Sequence, residues 1–271
     1  MFSVKSLPVI VIGATLMLGF GQSAEAFPIY ASDSSGQIGT VDYDTGEFSS
    51  ILQGDTAFTD IAVTEDGNLF GSSFYGLYSI DTNTGSSSLI GNYGNFGMNA
   101  LGFTDSNVLY GARYTGGFYQ IDANTGNASL LEGTSTFRSS GDIVFDAAKN
   151  LFWGTSMSNK LVTLGLDGSF NEIGDIGFSA VYGLFFNEGT LYGQTAAGQQ
   201  ITLDMETGKG TFDKQITGDN SQIWGSASLP STGGAVSDVQ SVPEPASIMG
   251  LLGLATVGVL SQRKRQNAAN V

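Results

Sequence analysis

One landmark recurs five times along this chain: an apolar residue, an aromatic residue and a small residue in a row. Ile29-Tyr30-Ala31, Leu69-Phe70-Gly71, Leu109-Tyr110-Gly111, Phe152-Trp153-Gly154 and Leu191-Tyr192-Gly193 place their aromatics 40, 40, 43 and 39 residues apart. A second landmark, Asp-x-x-Thr-Gly, runs from Asp42 to Gly46, Asp81 to Gly85, Asp122 to Gly126 and Asp204 to Gly208. A shortened Leu166-Asp167-Gly168 stands in for the remaining copy, and the five glycines are 39, 41, 42 and 40 apart. Two independent landmarks with one period mean a chain of repeated units, each burying its faces against its neighbours.

Each period divides into short strand-like pieces. In the second they are Asp60-Ile61-Ala62-Val63, then Asn68 to Ser73 after a Glu65-Asp66-Gly67 turn, then Gly76 to Asp81, then Ser86 to Ile90 after the Thr84-Gly85 turn. Apolar residues alternate in these pieces, and helical spacing is not sustained anywhere in the body. Four strands per period of about 40 residues is the pattern of a propeller blade. The chain enters at Ile29-Tyr30, which corresponds to the second strand of a blade. The missing first strand reappears at the far end as Gln222-Ile223-Trp224-Gly225-Ser226-Ala227. Pairing the two closes the ring and hides its edges. The expected fold is therefore all-β: a five-bladed β-propeller of four-stranded blades over residues 27–229, closed by N- and C-terminal strands, and the body resembles five-bladed propellers over nearly its whole length. An open solenoid of the same repeats is the runner-up. Tyr30, Phe70, Tyr110, Trp153 and Tyr192 are expected to pack between blades, and Ile61, Leu101, Ile143 and Leu184 to sit on the inner strands.

Both ends read as signals rather than fold. Lys5 precedes an uncharged apolar run from Leu7 to Phe20, and Ala24-Glu25-Ala26 puts small residues at the −3 and −1 positions of a signal-peptidase site. Residues 1–26 are read as a signal peptide cut between Ala26 and Phe27. Residues 230–241 are small and polar, as in a flexible linker. Then come Val242-Pro243-Glu244-Pro245, an uncharged stretch from Ala246 to Leu260, and the basic trio Arg263, Lys264 and Arg265. A short apolar helix held by cations on the cytoplasmic side is a membrane stitch. Residues 242–266 resemble the PEP-CTERM sorting tail of exported bacterial proteins. That resemblance implies a transmembrane sorting helix, recognition by an exosortase, cleavage near Pro243-Glu244-Pro245, and delivery to the cell surface or extracellular polymer. An ordinary C-terminal anchor is the alternative.

Composition narrows the chemistry. The 271 residues include no His and no Cys, which excludes imidazole- or thiol-based nucleophiles, zinc ribbons and disulfides. Between Phe27 and Val242 there are six basic and 23 acidic residues, a net −17. Such a field does not attract nucleic acid. The Asp-x-x-Thr-Gly segments, including Asp42-Tyr43-Asp44 and Asp122-Ala123-Asn124, offer too few oxygens for calcium, which needs six to eight. They read as hairpin turns, as does Asp33-Ser34-Ser35-Gly36. Neither metal nor cofactor is expected.

A glycosidase or lyase needs converging carboxylates. The inner strands are headed by Asp60, Ala100, Asp142, Gly183 and Gly225, so two acids stand on non-adjacent blades. Asp60 and Asp142 are expected to bond turn backbone or face water at the channel mouth. Glu65, Asp66 and Glu188 read as solvated turn charges. Loop aromatics Tyr75, Tyr93, Phe96, Tyr114, Phe137 and Phe178 are candidates for stacking on sugars. The best of these segments is Tyr93-Gly94-Asn95-Phe96-Gly97, and Tyr93, Phe96 and Tyr114 form the candidate ligand-binding loop. No residue is assigned a catalytic role. The function expected is an exported, non-enzymatic interaction module for polysaccharide or a surface protein, and the alternative is a polysaccharide-acting enzyme using the channel carboxylates.

Overall fold

The computed structural model describes residues 28–54, 56–218 and 222–229. The cut at Ala24, Ala26 and Phe27, the linker and the tail motif with Arg263, Lys264 and Arg265 lie outside these residues. Among the described residues no helix is long and apolar enough to cross a membrane.

The described chain forms five sheets, one per repeat. The first blade holds β1 (Ile29–Asp33), β2 (Gln37–Val41) and β3 (Glu47–Gln53); the second β4 (Asp60–Val63), β5 (Leu69–Ser72), β6 (Gly76–Asp81) and β7 (Ser86–Asn92). The third holds β8 (Met98–Phe103), β9 (Leu109–Arg113), β10 (Phe118–Ile121) and β11 (Ala128–Leu130). The fourth holds β12 (Ser139–Asp146), β13 (Leu151–Ser156), β14 (Lys160–Gly165) and β15 (Phe170–Asp175). The fifth holds β16 (Val181–Asn187), β17 (Thr190–Thr195), β18 (Gln199–Leu203) and β19 (Gly210–Gln215). Two further strands, β20 (Thr217–Gly218) and β21 (Ile223–Ala227), return to the first blade.

The closure follows the sequence reading. β21 pairs antiparallel with β1, setting Tyr30 opposite Ala227 and Ala31 opposite Ser226. An unforeseen addition is β20, which lies parallel to the outer strand β3 and gives the first blade a fifth strand. The chain thus clasps the first blade at both its inner and outer edges. Nearby, Lys214 Nζ donates to the Tyr43 carbonyl, and the Tyr43 and Tyr192 hydroxyls share a 2.7 Å hydrogen bond across the seam. Burial and the Tyr43 hydroxyl push the Tyr192 phenol up to about 12.

The core lies between blades. Phe70 meets Phe103 of the next blade with ring centroids 5.1 Å apart, Tyr110 meets Phe152 at 5.2 Å, and Tyr192 meets Tyr43 at 5.5 Å. Trp153 packs with Leu184 and Leu191 of the fifth blade and donates its indole N–H to Asp146. Tyr30 and Phe70 are only half-buried. Ile61, Leu101, Ile143 and Leu184 are buried on the innermost strands. Burying a side chain of this kind contributes roughly 1.5–3 kcal/mol, so the stacking of blade on blade is the main source of stability in a chain without cross-links.

Within a blade the loops alternate between two faces, because neighbouring strands are antiparallel. One face carries the links from first to second and third to fourth strand, which include the Asp-x-x-Thr-Gly hairpins. There Asp42 Oδ1 accepts the Thr45 N–H at 2.7 Å, and the Gly46 N–H reaches the Asp42 carbonyl at 2.8 Å with Gly46 at φ 74°. Asp81, Asp122 and Asp204 repeat the arrangement. Their carboxyls are held below the usual range by hydrogen bonds from the turn, led by the Thr45 N–H for Asp42 and by the Thr84 side chain for Asp81. In each of these turns Oδ1 is the carboxylate oxygen that accepts the turn N–H groups. The other face carries the longer, irregular links and is the one that opens on a cavity.

Candidate functional site

The cavity is a funnel of about 440 Å³ at one end of the propeller axis. Each blade lends it a residue from the start of its innermost strand: Thr59, Asn99, Ser140, Tyr182 and Trp224. Phe74 and Tyr114 join from the links between second and third strands. The volume lies in the 300–1,000 Å³ range of small-molecule sites.

The funnel's wall is held by bonds that run from blade to blade. The Thr59 hydroxyl reaches the Ser72 carbonyl at 2.9 Å and the Met98 carbonyl of the next blade at 3.1 Å. Asn99 Nδ2 donates to the Ser139 carbonyl at 3.1 Å, and Thr155 Oγ1 to the Val181 carbonyl at 2.9 Å. Ser226 Oγ donates to Gln194 Oε1 at 2.6 Å and closes the ring between the fifth and first blades. Asn99 Oδ1 is buried and accepts no hydrogen bond from the protein. Just before Tyr182, Ala180 holds a left-handed backbone at φ 54°, a costly conformation for a residue with a Cβ.

Beneath the funnel sit Asp60 and Asp142, each 0% exposed. The expectation that they bond turn backbone or face water at the channel mouth is corrected here. Asp60 Oδ1 accepts the Ile61 N–H at 2.8 Å, and Oδ2 accepts the Leu101 N–H of the next blade at 2.6 Å. Asp142 Oδ2 accepts the N–H of Leu184 on the fifth blade and, at 3.4 Å, that of Ser226 on the closing strand. The inner strands have N–H groups facing the axis with no ladder partner, and the two carboxylates supply the missing acceptors. Standing on non-adjacent blades does not separate them, because five blades leave an axis narrow enough for the two carboxyls to interact. Burial, first, and the charge of Asp142, second, push Asp60 well above the usual carboxylate range. Burial likewise raises Asp142, against the pull of the Leu184 N–H. Burial and mutual interaction disfavour the doubly ionised pair. The space for them is made by Gly225: a Cβ there would lie 2.2 Å from Asp60 Oδ1 and 2.7 Å from its Cα.

Below the acids the axis narrows to an apolar gap of about 20 Å³, lined by Ile61, Leu101, Ile143 and Leu184 among others. That is about the room of one water. The funnel is therefore blind.

The candidate loop divides. Tyr93 is 3% exposed, a correction to its reading as a surface aromatic. Its hydroxyl donates to Ser72 Oγ at 3.0 Å, and the Arg113 guanidinium, seated 4.1 Å over the Tyr119 ring, reaches its carbonyl. Phe137 is buried as well, packed against Phe170, and Phe178 is half-buried in the core. Phe96 stays exposed and forms a platform with Tyr75, Phe74 and Tyr114, with centroids 4.8, 5.3 and 5.5 Å away. Phe74 and Tyr114 carry that platform to the funnel's edge.

Phe74, Asn99, Tyr182 and Trp224 were not singled out from the sequence. A signal for most of them was present. Aligned on Asp60, Ala100, Asp142, Gly183 and Gly225, the preceding column of the repeat reads Thr59, Asn99, Gly141, Tyr182 and Trp224. This column lines the funnel.

The fold and its axial funnel define a five-bladed β-propeller, and two kinds of comparison place it further. Residues 241–265 match the PEP-CTERM protein-sorting motif. That motif implies export, a membrane-anchored sorting signal and processing by an exosortase. No curated protein matches the chain in sequence. Among solved structures, a chain of a nidogen/laminin complex is 14% identical with a TM-score of 0.54, over 73% of this chain and 80% of that one. A symmetrical protein described as a de novo evolutionary emergence is 20% identical over 73% and 93%, with a TM-score of 0.47. A streptogramin B lyase is 14% identical over 72% and 67%, with a TM-score of 0.46. At these identities the first likeness speaks for the fold alone.

Proposed function

We propose that the protein is an exported, surface-sorted propeller that acts as a non-enzymatic binding module, with the funnel face as its contact for extracellular polysaccharide or a surface protein. One observation supports this most: an open cavity walled by aromatics lies over a floor whose carboxyls have no exposed surface and already accept backbone N–H groups. A floor of that kind shapes a site and gives a substrate nothing ionisable to touch. The sorting motif supplies the context, since it sends the chain to where such polymers are.

A second reading is an extracellular hydrolase or lyase, and it draws on the meeting of Asp60 and Asp142 across the axis. Retaining glycosidases hold two carboxyls close together, but on either side of a bond that both must reach. The test mixes protein recovered from the medium of producing cells with their extracellular polymer. Co-sedimentation without release of reducing or unsaturated ends is expected. Sugar release that disappears in Asp60→Asn overturns the binding reading. The processing step has its own check: a mature protein whose mass still includes Ala246 to Val271 contradicts sorting by cleavage.

A further inference from the structure

The funnel's chemistry narrows its occupant. Its walls are aromatic on two sides: Phe74 and Tyr114 from the second and third blades, Tyr182 and Trp224 from the fifth and the closing strand. Between them stand polar but uncharged groups, Asn99, Ser140 and Gln222. Among the described residues no charged side chain lines the cavity. The chain's formal charge of −15 repels anions, and the described wall offers no carboxylate to pair with a cation. Flat apolar faces alternating with hydrogen-bonding edges match a pyranose ring, which has apolar C–H faces and hydroxyls around its rim. Asn99 Oδ1 is buried beside the cavity and takes no donor from the protein, so the Asn99 amide has acceptor capacity that no protein group uses. The depth matters too. Asp60 and Asp142 lie buried between the inner strands, and the gap those strands leave is about 20 Å³, the room of about one water. A polymer cannot thread through; it can only enter and stop.

We propose that the funnel is an end-on site for a neutral sugar chain, in which the terminal rings enter between the Trp224–Tyr182 wall and the Phe74–Tyr114 wall and hydrogen-bond to Asn99, Ser140 and Gln222. This rests on the binding-module reading and adds to it the ligand class and the mode of entry.

Trp224 provides a direct reporter. The chain has two tryptophans, and the other, Trp153, is buried with its N–H on Asp146. In Trp153→Phe, emission therefore comes from the funnel. The probes are oligosaccharides of two to six units from partial hydrolysis of the producing cells' polymer, split by anion exchange into neutral and acidic fractions. They are titrated into the full chain purified in detergent, with iodide as quencher. The expected result is that neutral oligomers shield Trp224 from iodide, with affinity rising over the first two or three units and then levelling off. Tyr114→Ala, at the half-exposed edge, is expected to weaken binding about fivefold, the loss of one good aromatic contact. Its melting temperature should stay close to that of the parent. Shielding by acidic oligomers in preference to neutral ones overturns the ligand class. Affinity that keeps rising to six units overturns end-on entry. If the whole polymer co-sediments with the protein while neutral oligomers leave Trp224 unshielded, the funnel proposal fails and the binding-module reading survives. If neither polymer nor surface protein is bound, the reading beneath it fails as well.

Discussion

The two faces of this propeller are made from the same repeat by different means. On the hairpin face each turn is closed within five residues: Asp122 Oδ1 takes the Asn124 N–H at 2.8 Å and the Gly126 N–H returns to the Asp122 carbonyl at 2.8 Å. On the funnel face the decisive bonds join residues about 40 or more apart, such as Asp60 to Leu101 and Asp142 to Ser226. Local bonds repeat faithfully because each unit satisfies them alone. Long-range bonds depend on what the neighbouring blade offers, so the five copies can diverge, and divergence is what turns a symmetric axis into a site. The faces should therefore respond differently to substitution and to pH.

The largest effect is expected at the axis. Gly225→Ala drives a methyl into the Asp60 carboxyl and backbone. It should cost about 3 kcal/mol and lower the melting temperature by roughly 6–10 °C. At the hairpin face, Gly85 sits at φ 72°, and an added Cβ meets only Leu52 Cβ at 3.4 Å. Gly85→Ala should cost about 1–2 kcal/mol, from the left-handed backbone alone. Equal losses at the two positions, read by thermal melts, would break the comparison.

The pH responses should run in opposite senses. Asp60 and Asp142 hold protons more tightly folded than unfolded, because burial raises both. Their contribution is complete below the unfolded value near 3.8 and is lost as pH rises toward the folded values. Melting temperature should thus fall as pH is raised above about 4, and Asp60→Asn, which keeps an acceptor for the Leu101 N–H, should flatten that slope. Asp60 also acts on the Tyr93 phenol, which is raised chiefly by burial and is acted on by Tyr78 and Arg113 as well. The hairpin acids behave in reverse. Asp42, Asp81, Asp122, Asp167 and Asp204 are lowered, so their smaller contribution is present above about 3.8 and lost as pH falls below it. Asp81→Asn should leave the neutral melt almost unmoved and soften only the acid limb.

The same contrast explains what could be read from the chain beforehand. The blade count, the turn at Asp42 and the closing strand at Gln222 to Ala227 were legible, because period, turn chemistry and strand alternation are local signals. Tyr93 was misjudged because its glycine-rich surroundings look like a surface loop, whereas the fold turns its ring inward onto Ser72 and Met98. Asp60 and Asp142 looked too far apart because separation by blade number says nothing about distance across a five-fold axis. Tyr182 and Trp224 escaped because each is one aromatic within a strand, and only the placing of five strands around one point makes them a wall. The strand β20 is two residues long and parallel to its partner, and carries no periodicity to read.

The most direct measurement is co-sedimentation of three forms of the protein with the producing cells' extracellular polymer: wild type, Tyr114→Ala with Tyr182→Ala on the funnel face, and Asp81→Asn with Asp122→Asn on the hairpin face. The account predicts that wild type and the hairpin-face variant sediment alike, while the funnel-face variant stays in solution although it melts cooperatively. Retention of the funnel-face variant, or equal loss from the hairpin-face variant, would contradict it.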